Sequence, residues 1–325
     1  MLHLLEKRFL VARCVKSILP LCLLACVRGD SRGIAKPVAS TPQGANLWSI
    51  GIATGPSPLQ LQERLNPPNP IFSWRSFKKP DAAFVADPFL VRERDQWFVF
   101  FELFNLASGR GEIAVARSAD LHTWTFDGVV LAEPFHLSYP FVFKEGDSYY
   151  MVPESRAAQE VRLYKARSFP KEWVLDTTLV RGNFSDSSPV YFYNRWWMFT
   201  CESPYSLKLF FADSLKGPWT SHPSNPIYVD DPSKSRPAGR PVVVDGKIAR
   251  FVQDNRGGYG KRVRVMIVDD ISPTTFREHE AEQSPLFEAH GKHWSRNGMH
   301  HVSPIQLRDK EWVAAVDGSG DGWKE

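Results

Sequence analysis

The sequence predicts an all-β protein, a five-bladed β-propeller whose last blade is closed by the N-terminal strand. Three observations predict this fold: a five-fold internal repeat with a period near 50 residues, further strands at constant distances within each repeat, and an unpartnered strand near the N-terminus. Three or four antiparallel strands at such a period are typical of a propeller blade, and neighbouring blades must stack to bury their faces.

Each repeat begins with a short apolar segment that is opened by proline. The prolines follow one another at spacings of 52, 49, 52 and 63 residues, and they are Pro88, Pro140, Pro189, Pro241 and Pro304. Proline at the first position of a strand costs no hydrogen bond of the sheet. Each proline therefore predicts the start of the innermost strand of one blade.

The other strands of each blade follow at regular distances. An acidic residue ends the second strand 13 or 14 residues after the proline, and these acids are Glu102, Glu154, Glu202, Asp254 and Asp317. We predict the second strands at 97–102, 149–154, 196–202, 248–254 and 312–317. We predict third strands at 112–117, 160–165, 207–212 and 262–268. Three units continue to a tryptophan near the outer edge of the blade, namely Trp124, Trp173 and Trp219.

The fifth unit reaches Glu325 without a third strand. The apolar segment 47–52 (LWSIGI) is a strand without a partner in the first unit. We predict that it completes the fifth blade, which closes the ring and removes two exposed sheet edges. The alternative is that sequence beyond Glu325 completes this blade.

The N-terminal segment is predicted to be a targeting signal. Residues 1–17 are basic and 18–27 form an apolar run of ten, too short to span a bilayer comfortably but typical of a secretory signal. Leu23 to Cys26 (LLAC) resembles the lipobox of bacterial lipoproteins, in which the cysteine carries lipid; an ordinary signal peptide or a Golgi signal anchor are the alternatives. We therefore predict a leader at 1–27, a flexible linker at 28–47 and the propeller at 48–325.

These segments predict an exported protein, extracytoplasmic or anchored to the membrane through its leader or a lipid on Cys26, or located in the Golgi lumen if the source is eukaryotic. The net charge of +4 falls to about +1 without residues 1–25, which argues against nucleic-acid binding. Cys201 is the only cysteine after the leader, so no internal disulfide is predicted. We expect a monomer.

In a propeller the innermost strands line the central channel, and the residues near the five prolines should converge there. Cleavage of a glycosidic bond requires two carboxyl groups, one that donates a proton and one that activates water or attacks carbon. Asp87 is the predicted base or nucleophile and Glu154 the predicted acid, with Glu202 as the alternative acid. Asp186 is a third carboxyl that could tune the pair.

Other residues near the channel are predicted to bind substrate: Tyr139, Ser188, Arg236, Arg240 and His301. The arginines could neutralise a phosphate or carboxylate on the ligand, or form ordinary loop salt bridges. For Glu102, Asp254 and Asp317 a scaffold role is favoured, in which the acid accepts backbone N–H groups.

A cluster of histidines at 290–301 lacks the spacing of a zinc motif, so neither a metal nor a cofactor is predicted.

The N-terminal propeller of plant glucosamine inositolphosphorylceramide transferases resembles this chain in the order of several short segments. These segments are ADPF, LSYPFVF, MVPES, the run from Asp186 to Val190, WWMF, RPAGRPVV and HHVSPI. More broadly the chain resembles the five-bladed superfamily of arabinanases, levansucrases and invertases, which includes glycoside hydrolase family 43. The resemblance spans residues 48–318.

This resemblance implies the five-bladed fold and a carbohydrate ligand. In the plant proteins a separate glycosyltransferase domain follows the propeller, where this chain ends, so transferase activity is not expected to carry over. Family 43 hydrolases use two aspartates and a glutamate. Asp87 matches the first aspartate, Tyr139 stands in place of the second, and the glutamate has no unambiguous counterpart.

Three functions remain open: an enzyme that cleaves or transfers a glycosidic bond, a non-catalytic module that binds a glycan or glycolipid headgroup, and a structural propeller without a sugar ligand. The expected partners are a polysaccharide, an oligosaccharide or a glycolipid. Two carboxyl groups on opposite sides of a cleft would favour the enzyme. Aromatic walls with a single acid would favour the binding module. A channel plugged by side chains would favour the structural role.

Overall fold

A computed structural model describes residues 47–290 and 293–320. The predicted leader, with Cys26, and the linker up to residue 46 lie outside the described residues. The strands in chain order are β1 (Leu47–Gly55), β2 (Gln62–Glu63), β3 (Ala82–Glu93), β4 (Gln96–Asn105), β5 (Arg110–Ser118), β6 (Thr125–Leu131), β7 (Ser138–Glu145), β8 (Ser148–Glu154), β9 (Glu160–Ser168), β10 (Glu172–Arg181), β11 (Phe184–Phe192), β12 (Arg195–Glu202), β13 (Ser206–Ala212), β14 (Thr220–Ser221), β15 (Arg236–Pro237), β16 (Val242–Val244), β17 (Lys247–Asp254), β18 (Arg262–Ile271), β19 (Phe276–Glu280), β20 (Phe287–Glu288), β21 (Val302–Arg308) and β22 (Glu311–Gly320).

Short 3₁₀ turns occur at Trp74–Ser76, Arg156–Ala158 and His293–Ser295. Among the described residues there is no α-helix, and accordingly none that is long and apolar enough to cross a membrane.

The strands form five antiparallel sheets, one for each predicted repeat, so the five-bladed propeller is confirmed. Blades 1, 2 and 3 have the orders β3-β4-β5-β6, β7-β8-β9-β10 and β11-β12-β13-β14. In blade 4 the innermost strand is split into β15 and β16, which both pair with β17, and β18 and β19 follow. Every predicted second and third strand lies within, or coincides with, an observed strand.

The N-terminal strand closes the ring, as predicted. Blade 5 has the order β21-β22-β1-β2, and β1 pairs with β22 from Leu47 opposite Gly320 to Gly55 opposite Trp312. This pairing covers an edge of β22 that would otherwise expose unpaired backbone groups.

The core consists of five apolar clusters, one between each pair of neighbouring blades. Strand β4 shows how the two-residue period of a strand serves this arrangement. Val99 and Phe101 pack toward blade 5, whereas Phe98 and Phe100 pack toward blade 2. Full burial of such a side chain contributes about 1.5–3 kcal/mol. Because both faces are covered, the strands are nearly continuously apolar rather than alternating.

Four of the five prolines lie inside the innermost strands instead of opening them, which corrects the sequence prediction; Pro241 directly precedes β16. Strand β3 begins at Ala82 and β7 at Ser138, so Pro88 and Pro140 lie inside them. In both strands the pairing register shifts at the proline, between Ala86 and Phe89 and between Ser138 and Phe141. A residue in such a bulge is left out of the hydrogen-bond ladder, so the missing N–H of proline costs nothing there.

Candidate functional site

The bulges of the innermost strands position three side chains at one end of the channel. Asp87, Tyr139 and Asp186 occupy the same place in the bulges of blades 1, 2 and 3, and all three have a left-handed backbone, with φ of 53°, 47° and 55°. This conformation is uncommon for residues other than glycine and redirects the side chain relative to the regular pleat.

In blade 3 the proline lies at a different distance from the bulge than in blades 1 and 2. The register of this blade changes between Ser185 and Ser188, so Asp186, three residues before Pro189, is the counterpart of Asp87. Ser185 faces Cys201, just as Ala86 faces Glu102 and Ser138 faces Glu154.

Glu202 is therefore not the counterpart of Glu154, as the proline spacing had suggested. Its side chain is 44% exposed and forms an ion pair with Lys208 at 3.0 Å. Glu202 does not line the cleft described next, so the structure does not bring it together with Asp87 and Glu154.

A cleft of about 750 Å³ opens above these bulges. Each blade contributes to its wall, and the lining residues are Trp48, Phe84, Ala86, Asp87, Glu102, His136, Ser138, Glu154, Arg156, Ala157, Gln159, Asn183, Arg236, Tyr259 and His300. Three carboxyl groups, two arginines and two histidines thus share one concave site with several aromatic rings. Of the residues predicted from sequence, Asp87, Glu154 and Arg236 lie in this wall.

Asp87 is 6% exposed, and burial raises the pKa of its carboxyl to about 7. The charge of His300 lowers this pKa, whereas Asp186 and Asp317 raise it, and Arg236 lowers it by a smaller amount. At neutral pH the protonated and ionised forms of Asp87 are therefore both populated.

Glu154 is also buried, and burial together with the negative charge of Asp186 raises the pKa of its carboxyl to about 8. Arg236 lies between the two acids: its Nε donates a hydrogen bond to Asp186 Oδ2, and its Nη2 is 3.7 Å from Glu154 Oε2. Gln253 Nε2 donates to the same Asp186 oxygen at 3.0 Å. Glu154 thus carries a proton at neutral pH, as a proton donor must.

Glu102 faces the cleft, contrary to the scaffold role predicted for it. Burial raises the pKa of Glu102 well above its usual value, and Asp87, Glu154 and Asp186 add to this effect. Its Oε1 is 3.3 Å from His136 Nε2. Because His136 Nδ1 accepts the backbone N–H of Gly111 at 2.9 Å, the proton of the neutral imidazole is on Nε2.

The scaffold role holds for the other two acids. Asp254 accepts the backbone N–H of Arg256 at 3.1 Å. Asp317 accepts the backbone N–H groups of Asp87 and His300, each at 3.1 Å.

Asp87, His300 and Asp317 bring possible metal-ligand atoms within 4.8 Å of one another. However, both oxygens of Asp317 already accept backbone N–H groups, and His300 Nδ1 is 2.8 Å from Asp317 Oδ1. In this structure the three side chains are therefore part of one chain of hydrogen bonds and close polar contacts.

Three predicted substrate-binding residues lie in the channel beneath the cleft instead of lining it. The Tyr139 hydroxyl lies 2.8 Å from Ser188 Oγ and accepts the N–H of Gly239 at 2.6 Å. His301 is fully buried between the rings of Phe89 and Tyr139, and burial lowers the pKa of its imidazole to about 3. These side chains fill the centre of the ring beneath the cleft, whereas the cleft itself is open, with a volume of about 750 Å³.

Arg240 lies near the opposite end of the channel. Its Nη2 donates to the carbonyl of Val142 at 2.6 Å, and its guanidinium lies 5.0 Å from the ring centre of Phe141. It lines a separate depression of about 470 Å³ with apolar residues from the other ends of the innermost strands. The structure therefore separates Arg240 from Arg236.

Residues 41–319 match the family described as "Glucosamine inositolphosphorylceramide transferase 1, N-terminal". The chain belongs to this family. It is 35% identical over 315 residues to Glucosamine inositolphosphorylceramide transferase 1 of Oryza sativa subsp. japonica, with 88% of this chain and 42% of the rice protein covered. The protein of the same name from Arabidopsis thaliana is 33% identical over 302 residues, with 84% and 40% covered. The chain thus spans about two fifths of the length of these relatives.

Solved structures with a similar fold include two α-L-arabinofuranosidases. The catalytic domain of the GH62 α-L-arabinofuranosidase of Coprinopsis cinerea has a TM-score of 0.56 at 13% identity, with 84% of this chain and 97% of that domain covered. The α-L-arabinofuranosidase of Podospora anserina in complex with cellotriose has a TM-score of 0.53 at 13% identity, with 85% and 97% covered. At this identity the likeness shows the fold.

For this member of the glucosamine inositolphosphorylceramide transferase N-terminal family, sequence reasoning missed several cleft residues. Glu102 had the same offset from its proline as Glu154, and this signal could have identified it. Trp48, His136 and Tyr259 lie outside the repeated positions, so no spacing indicated them.

Cys201 is expected to be an unreactive thiol. It is 1% exposed, and burial raises its pKa to about 12, whereas the thiolate is the reactive form. We expect iodoacetamide at pH 8 to modify Cys201 at least about 100-fold more slowly in the native protein than in denaturant. Mass spectrometry of the Cys201 peptide measures both rates, and similar rates would contradict the buried position.

Proposed function

We propose that the cleft binds a glycan and cleaves or transfers one of its glycosidic bonds. The observation that supports this most directly is the pair of carboxyls Asp87 and Glu154 in one concave wall, with different electrostatic surroundings. Pairs of acids whose surroundings favour different protonation states are the usual basis of acid and base roles in glycosidases.

In this mechanism Glu154 donates its proton to the oxygen of the leaving group while the bond from that oxygen to the anomeric carbon breaks. Asp87, in its ionised form, either removes a proton from an attacking water or hydroxyl group or attacks the anomeric carbon itself. Asp186 and Arg236 hold Glu154: the negative charge of Asp186 keeps the proton on Glu154, and Arg236 bridges the two acids.

The protonation states predict a bell-shaped dependence of kcat/KM on pH. Activity rises as Asp87 ionises, with its pKa at about 7, and falls as Glu154 loses its proton, with its pKa at about 8. The maximum is therefore expected between these values, and the two limbs describe the interacting carboxyls together. Initial rates from pH 5 to 10 measure the profile; a rate that only rises or only falls over this range would contradict the assignment.

The proposal is tested by the release of reducing ends from a panel of polysaccharides, oligosaccharides and inositolphosphorylceramide glycolipids. Transfer is tested in the same reactions by adding a second glycan as acceptor and separating the products by mass spectrometry. Release or transfer at the cleft supports the enzyme. Saturable binding of one member of the panel without any product would overturn the catalytic proposal and leave a binding module.

A second candidate is a non-catalytic module for a glycan or for the headgroup of inositolphosphorylceramide, the lipid in the names of the plant relatives. Tyr139 favours it, because blade 2 places a phenol where blades 1 and 3 place Asp87 and Asp186. Arg156 also favours it: its side chain is 46% exposed at the mouth of the cleft and approaches Glu154 Oε1 only to 4.0 Å. An anionic headgroup would pair with this arginine.

For the whole chain we propose a monomer in an exported setting, held at a membrane through its leader or a lipid on Cys26. The supporting observations are the basic start and apolar run of the leader. Fractionation of cells that produce the full chain, with and without Cys26→Ala, tests this placement.

A further inference from the structure

One buried carboxylate connects the backbone of Asp87 to a histidine of the cleft. Asp317 is fully buried in β22, and its Oδ2 accepts the backbone N–H of Asp87 at 3.1 Å. Its Oδ1 accepts the backbone N–H of His300 at 3.1 Å and lies 2.8 Å from Nδ1 of the same residue. Asp317 therefore holds Asp87 at its left-handed bulge and also orients the imidazole.

This contact determines which atom of His300 faces Asp87. Because Asp317 accepts from Nδ1, that nitrogen carries a proton, and Nε2 faces Asp87 Oδ1 at 3.7 Å. His300 is 2% exposed, and burial lowers its pKa, but Asp317 and Asp87 together raise it above its usual value. The imidazole therefore lies between two carboxyl groups, which favour its protonated form.

Aromatic rings from two other segments hold the imidazole in place. Trp48, from the closing strand β1, stacks on His300 with ring centres 3.9 Å apart and planes 19° apart. Tyr259 meets the imidazole edge-on at 5.2 Å. Gly260 allows this packing, because a Cβ atom there would lie 2.8 Å from the Trp48 ring and 2.9 Å from His300 Cβ.

The titratable groups that face Asp87 come from all sides of the cleft and from the channel beneath it. His301 Nδ1 lies 3.6 Å from Asp87 Oδ1, but burial lowers the pKa of this imidazole to about 3, so it adds no positive charge at neutral pH. The negative charges of Asp186 and Asp317 disfavour the ionisation of Asp87, and the positive charges of His300 and Arg236 favour it. Asp87 in turn raises the pKa of Glu102. Of the two cations, His300 has the larger effect on the pKa of Asp87.

We infer that Asp317 and His300 are positioning residues for Asp87: Asp317 fixes the backbone of Asp87 and the imidazole, and the imidazole opposes the negative charge of Asp87. This inference rests on the proposed function, in which Asp87 acts as base or nucleophile. It also gives the ring closure a role in the site, because β1 supplies Trp48 and β22 supplies Asp317.

The test is His300→Gln, which keeps a side-chain donor near the position of Nε2 but removes the positive charge. An opposite charge at this range lowers a carboxyl pKa by about 1–3 units, so its loss is expected to raise the titration midpoint of Asp87 by at least about one pH unit. Carbon-13 NMR of aspartate-labelled, ligand-free protein measures this midpoint, and Asp87→Asn assigns the signal. In an active enzyme the acidic limb of kcat/KM shifts upward with it.

His279→Gln is the matched control. His279 is also paired with an aspartate, Asp269, at 2.7 Å, but its side chain is 55% exposed and it does not line the cleft. We expect no shift of Asp87 or of the pH profile in this variant.

A second variant, Asp317→Asn, keeps the size of the side chain but offers an amide N–H to one of its three donors. We expect a lower kcat with little change in KM, because Asp87 loses its fixed orientation. An unshifted Asp87 midpoint in His300→Gln would overturn the inference even if the enzyme is active. A shifted midpoint in a protein without turnover would support the positioning contact and count against the proposed function alone.

Discussion

Replacing Asp87 with asparagine is expected to lower kcat by about 10²- to 10⁴-fold, the usual contribution of a positioned acid or base. Asparagine tolerates the left-handed backbone that Asp87 adopts, with φ of 53°, so the bulge and the fold should persist. The variant cannot accept a proton or attack carbon, whereas it retains the size of the side chain. Steady-state kinetics on the substrate found in the panel measure the loss.

Glu154→Gln distinguishes the role of proton donor from that of base or nucleophile. If Glu154 donates the proton to the leaving group, its loss should matter much less for an aryl glycoside, whose phenolate leaves without protonation. Asp87→Asn should slow the reaction of the glycan and of the aryl glycoside to the same extent, because both need the base or nucleophile. The matched controls are Asp213→Asn and Glu288→Gln, exposed acids outside the cleft that are paired with Arg195 and Arg262. Equal losses in the controls and in the cleft variants would contradict the assignment.

The largest effect on stability is expected at Arg250. Its side chain is 1% exposed, and its Nη2 and Nε donate to the two oxygens of Glu278 at 2.6 and 3.0 Å. Nη2 also donates to the carbonyl of Lys234 at 3.1 Å. Arg250→Met leaves the Glu278 carboxylate buried without its partner, so we expect a loss of about 3–5 kcal/mol in the free energy of unfolding.

The double variant Arg250→Met, Glu278→Leu should recover much of this loss, because no buried charge remains unpaired. Arg195→Met is the matched control. Arg195 lies over the ring of Phe211, as Arg250 lies over the ring of Phe199, but its partner Asp213 has a side chain that is 84% exposed. The free energy of unfolding of Arg195→Met should fall by no more than about 1 kcal/mol. Urea denaturation measures all three variants, and an equal loss at the two arginines would contradict the argument.

The local pattern of the chain was sufficient to predict the strands and their order. Short apolar segments, polar turns and constant offsets depend on neighbours in the sequence, and the observed β4, β8, β13 and β18 contain the predicted ranges. The unpartnered strand near the N-terminus predicted the closure of blade 5, because it supplies the strand that this blade lacks and covers its exposed edge.

The frame of blade 3 could not be predicted in this way. Pro189 was aligned with Pro88, but the bulge in β11 makes Asp186 the counterpart of Asp87 and Cys201 the counterpart of Glu102. Blades 1, 2 and 3 share the same bulge, but Pro88 directly follows Asp87 within it, whereas Pro189 lies three residues after Asp186. Offsets counted from the proline therefore misalign blade 3, because a proline is tolerated at more than one position near the bulge. The misplacement of Glu202 follows from this misalignment.

By itself the sequence determined the fold, the ring closure and the placement of Asp87 and Glu154 near the channel, since these depend on patterns within single repeats. Only the tertiary structure decided which side chains share the cleft. Asp317 contacts the backbone of Asp87 across 230 residues of sequence, and Trp48 reaches His300 only after the ring has closed. Contacts of this kind arise from the stacking of complete blades, and no periodicity along the chain encodes them.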